Sequence, residues 1–164
     1  MTPTRSNGKM TTHNLIGGAA CGQHGRSLLT RHPKGTPMFA DRSRAFLILI
    51  SLGLAPVALS YGLAPEKSLP WLFGIDASGV NLRHILRGVM GLYLAMICFW
   101  IAGAVLARLR VPALWSLVVF MTGLGLGRLF SLIVDGWPHP LLVVYLVLEV
   151  AIAGIGIRFL RAAA

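Results

Sequence analysis

The chain has 164 residues, of which 55% are hydrophobic and 12% charged, with a net charge of +10 and a mean hydropathy of +0.73. A soluble domain carries about 25% charged residues, so composition excludes that class and points to a membrane protein. Nucleic acid is not the implied partner either: seven of the 15 Lys and Arg precede residue 45, and most others stand at the ends of apolar runs, where membrane orientation requires them.

Residues 1–44 are rich in Gly, Ser, Thr, Asn, Pro and basic residues and lack apolar periodicity, which predicts a disordered basic N-terminal segment. Its Gly-Gly-Ala-Ala-Cys-Gly stretch is no phosphate loop, because no Gly-Lys-Ser/Thr follows. Met38 opens a short basic leader running straight into an apolar run, which makes it an alternative start.

The first predicted span is 45–64, 20 residues without a charge, preceded by Arg42 and Arg44. Ala58-Leu59-Ser60 offers a signal-cleavage alternative, but the run exceeds the roughly 7 to 15 apolar residues of a signal peptide, so a retained helix is expected. Pro56 predicts a kink within it. Residues 65–84 read as a mixed-charge loop, with Leu69-Pro70-Trp71-Leu72-Phe73 suited to the lipid interface.

The second span is 85–107. Arg87 shares a helical face with Gly91, Leu94 and Cys98, and Gly91/Ala95 and Gly103/Ala107 have small-xxx-small spacing for close helix contact. The short basic turn 108–112 predicts an antiparallel hairpin with the third span, 113–134, which at about 1.5 Å per residue is roughly 33 Å long. That span holds an interior Arg128, with Gly125, Ser131 and Asp135 on its face. The GLGLG at 123–127 lies in mid-helix with no strand before it, so Gly123 and Gly127 read as a packing surface rather than a nucleotide fingerprint. A proline-stiffened turn leads to the fourth span, 141–157, whose one charge, Glu149, shares a face with Tyr145, Ala153 and Gly156.

Basic residues gather in the N-terminal segment, the 108–112 turn and the C-terminus, so both termini are expected in the cytoplasm. The expected fold class is an all-α integral membrane protein: an antiparallel four-helix bundle over 45–161 with a disordered N-terminal extension.

Counted from the outer ends of their spans, Arg128 lies about 9 Å deep and Glu149 about 12 Å deep, which predicts an ion pair. Arg87 and Asp135 fall at the outer boundary. Arg87, Arg128, Asp135, Tyr145 and Glu149 are therefore the candidate binding residues, either as a structural lock or as a site for an anion, a lipid headgroup or a proton. No catalytic residues are assigned, because neither a Ser-His-Asp order nor paired carboxylates are present. The scattered His and Cys, including Cys21 and Cys98, suggest no metal site and no disulfide framework, and no cofactor is implied.

RGVMGLYLAMICFW at 87–100, FMTGLGLGRLFSLIVDGWP at 120–138, and Tyr145 with Glu149 resemble an uncharacterised domain-of-unknown-function family of small bacterial four-helix inner-membrane proteins. The resemblance implies a fold, a bacterial origin and an inner-membrane location, and supplies no activity. The expected role is that of a small accessory or structural multi-pass protein rather than an enzyme, since about 115 residues without an inverted repeat leave little room for alternating access. A transporter or channel subunit, or a lipid- or anion-binding protein using Arg87, Arg128 and Glu149, is the alternative. The expected partners are the lipid bilayer and a second copy or another membrane protein.

Overall fold

The computed structural model describes residues 37–163. The expected disorder of residues 1–36, the Gly-rich stretch and Cys21 lie outside the described residues. Among the described residues five α-helices follow one another: α1, Pro37–Gly62; α2, Pro65–Phe73; α3, Val80–Val105; α4, Arg110–Val134; and α5, Pro140–Ala163, with a 3-10 turn Ala107–Leu109 before α4. No strand occurs among the described residues. Four segments are long and apolar enough to cross a membrane, Asp41–Gly62, Val80–Val105, Ala107–Val134 and Pro140–Ala163.

The helices outrun the expected spans, and the reasons are local. Residues 37–44, expected to be disordered, form the first turns of α1, where Ser43 and Leu47 are buried. α4 begins at Arg110 instead of residue 113, because Pro112 in a first helical turn gives up no needed N–H. α5 continues to Ala163 instead of stopping at 157, and its extra turns bury Leu160 and pack Phe159 on Phe46, with ring centroids 5.2 Å apart.

The larger correction is the expected loop 65–84. Its first half is α2, opened by Pro65, with Glu66 in its first turn, and closed by Gly74 at φ 68°. The left-handed Gly74 lets its own N–H and that of Ile75 reach Pro70 O and Leu69 O at 3.0 and 3.4 Å. Ser68 Oγ donates to Ser60 O, tying α2 to α1. α3 then starts at Val80, five residues before the expected span.

Cross-helix contacts give the directions. Tyr61 meets Tyr93 while Phe46 and Leu47 share a cluster with Trp100 and Ala104, so α1 and α3 run antiparallel. Trp100 Nε1 donates to Ser116 Oγ at 3.1 Å and Tyr93 meets Phe120, so α3 and α4 do the same. Gly156 faces Val118 while Gly125 faces Glu149, so α4 and α5 alternate too. α1 and α5 touch far less than these three pairs. Trp100, Leu114, Leu117 and Met121 fill the core at one end, and Leu69, Phe73, Ala77 and Leu86 form a second cluster at the other.

Two expected faces are turned the other way. α3 buries Leu86, Tyr93, Ile97 and Trp100, so Arg87, Gly91 and Cys98 are exposed. Aromatic area decides this, since large rings bury more than a Gly stripe can. On α4, Gly125 is the buried glycine, and Gly123 and Gly127 have open space where a Cβ would stand. At 100° per residue, a helix that turns Arg128 and Gly125 inward turns Gly123 and Gly127 out.

Candidate functional site

Arg128 stands six residues before the end of α4, and Glu149 is the tenth residue of α5. Antiparallel packing puts them side by side. Arg128 Nε donates to both carboxylate oxygens of Glu149, at 2.8 Å to Oε1 and 3.1 Å to Oε2. The side chains are 21% and 9% exposed, so water screens the pair little. Gly125, one turn before Arg128, faces Glu149: a Cβ there would stand 3.9 Å from that of Glu149, in ordinary van der Waals contact, so the two helices lie close at the ion pair.

Both bonds to Glu149 run through Nε, which leaves the two terminal nitrogens of the guanidinium for other acceptors. The three tyrosines of the chain surround that guanidinium from three helices. The Tyr145 ring lies beneath it, 5.6 Å from centroid to the guanidinium carbon, one turn before Glu149 on α5. Tyr61 of α1 and Tyr93 of α3 stand beside it and meet each other edge-on at 6.0 Å.

Above this group sits Phe73, the last residue of α2. It stacks on Tyr61 at 6.3 Å and meets Tyr145 and His139 edge-on at 6.4 and 6.2 Å. Below lies a cavity of about 330 Å³. Its walls are α1 from Leu49 to Val57, Met121 and Leu124 of α4, and Leu148 and Ile152 of α5; Tyr93, Arg128, Tyr145 and Glu149 form its polar end. A second hollow of about 60 Å³ touches Arg128 from the other side, between α4 and α5, and reaches Ser131.

Of the five residues expected at the site, Arg128, Tyr145 and Glu149 converge. Arg87 is exposed, one residue past buried Leu86 on α3. Asp135 is also exposed; its Oδ2 accepts from Ser131 Oγ at 2.7 Å, so it closes the end of its own helix. Tyr61, Tyr93 and Phe73 join the site beyond the five residues that the sequence points to. Each tyrosine is the one phenol in its span, a signal that gains force only when the spans are brought together. Among the described residues no three His, Cys, Asp or Glu stand close enough to share a metal ion, and Cys98 is a free thiol.

The arrangement offers an overall neutral polar end that can donate through a guanidinium and phenols and accept through a carboxylate. No characterised protein and no solved structure shows significant similarity to the chain. Residues 43–160, which take in α2, α3, α4, most of α1 and α5 and the whole site, match the family described as a domain of unknown function, DUF4345, and the chain belongs to that family.

Proposed function

We propose that this chain is a multi-pass protein of the bacterial inner membrane, with both termini cytoplasmic, that binds a lipid-like molecule in the cavity beside Arg128 and Glu149. One observation carries the reading: both members of the partly buried ion pair line an open cavity of about 330 Å³. A pair that served packing alone needs no empty space beside it, because protein interiors are close-packed, whereas small-molecule sites begin at about this volume. The orientation rests on charge. Arg108, Arg110, Arg158 and Arg161 join Arg42 and Arg44 at one end, against Lys67, Arg83 and Arg87 at the other.

A second reading is favoured by the direct 2.8 Å contact: the pair fixes the register of α5 on α4 within a small accessory or structural membrane protein. The two readings separate on one protein. Native mass spectrometry of the full chain, purified in mild detergent, is expected to find a retained amphiphile. The double variant Arg128→Leu/Glu149→Leu, which leaves no charge unpaired, is expected to fold and to lose it. A wild type that carries no amphiphile would return the site to the structural reading.

A further inference from the structure

We infer that the cavity takes a single-chain amphiphile with an uncharged oxygen head, a hydroxyl or carbonyl, and admits it sideways from the bilayer between α1 and α5. This rests on the ligand-binding reading above and adds the class of ligand and its route.

The head follows from charge. Arg128 and Glu149 already neutralise each other, and among the described residues they are the one guanidinium and the one carboxylate on the cavity wall. A phosphate or carboxylate would add a third, uncompensated charge in a medium where such charges are expensive. An uncharged oxygen meets no such penalty. It can accept from the guanidinium terminus or from the Tyr93 or Tyr145 hydroxyl, and a hydroxyl can also donate to Glu149.

The chain follows from shape. Beyond its polar end the wall is aliphatic, and its α1 side, Leu49 to Val57, is about 12 Å long at helical rise. About 330 Å³ is near the lower limit for a small-molecule site, which suits one hydrocarbon chain rather than two.

The route follows from what is closed. Phe73, stacked on Tyr61 and against Tyr145, covers the polar end from the side of the α2 loop. The flank between α1 and α5 is open: Leu49 is 67% exposed, Leu148 50%, and Gly53, one turn after Leu49 on the cavity wall, has nothing within 4 Å of where a Cβ would stand. A large side chain at Gly53 is therefore expected to fill the mouth, while a single methyl there meets open space.

The test uses the full chain in phosphatidylcholine nanodiscs at pH 8, with two photo-crosslinking probes of equal length, a diazirine-bearing hexadecanol and the matching hexadecanoate. Labelled peptides are mapped by mass spectrometry. The alcohol is expected to label 49–57 and 148–152, with the anionic probe about tenfold weaker, a difference of about 1.4 kcal/mol. Gly53→Phe is expected to cut the alcohol's labelling by a similar factor; Gly53→Ala, which leaves the mouth open, is expected to keep it, and matching thermal unfolding curves confirm that both variants fold. Equal or stronger labelling by the hexadecanoate overturns the uncharged head and leaves ligand binding standing. Undiminished labelling in a folded Gly53→Phe overturns the sideways route. Absence of cavity labelling by either probe overturns this inference and the binding reading together.

Discussion

Among Leu, Val and Met side chains and three neutral tyrosines, Arg128 and Glu149 each have the other as counter-charge, so each depends on the other. Removing one partner strands a charge, at a cost of about 3–5 kcal/mol by comparison with other buried pairs. Arg128→Leu and Glu149→Leu are each expected to destabilise the fold by about that much, and the double variant to recover most of the loss. Thermal unfolding in detergent of the wild type, both single variants and the double variant gives the coupling energy. Additive losses would show that the pair does not hold α4 to α5.

At the scale of the helix, glycines in apolar segments divide by what they face. A Cβ on Gly103 would collide with the Cβ of Ala113 and come within 3.2 Å of Leu109 O. Neither is the far end of a flexible side chain, so α4 must shift. Gly103→Ala is expected to cost about 1–3 kcal/mol. Gly91 and Gly123 look alike in sequence, each in a small-xxx-small pair, but both face open space. Gly91→Ala and Gly123→Ala are expected to be neutral or to stabilise the helix by up to about 1 kcal/mol. Unfolding curves for the three variants check the ranking, and a Gly123→Ala as damaging as Gly103→Ala would mean that the GxxxG face of α4 packs on something.

For the whole molecule the testable quantity is topology. Trp71 and Trp137, 84% and 86% exposed, stand at the end of the assembly that carries α2, and Trp115, 57% exposed, stands near the other. Exposed indoles at both ends suit two membrane interfaces. With more of the basic residues at the Trp115 end, reporter fusions near residues 75 and 137 are expected to read outside, and fusions near 110 and the C-terminus inside. A cytoplasmic signal from residue 137 overturns this orientation.

The number of long helices and the meeting of Arg128 with Glu149 were legible in the sequence. Both depend on one coordinate, distance along a helix from the end of an apolar run, and 1.5 Å per residue converts sequence into that distance directly. What the sequence could not decide was rotation about each helix axis. A face rich in small residues and a face rich in aromatics both make reasonable interiors for α3, and only the neighbours that Trp100 and Tyr93 find, Ser116 and Phe120, turn Arg87 outward. Tyr61 and Phe73 joined the site for the same reason: they lie 67 and 55 residues from Arg128, and nothing local links them to it. The cavity is the extreme case, because it lies between the first long helix and the last, and their loose contact is a property of how four helices close up on one another.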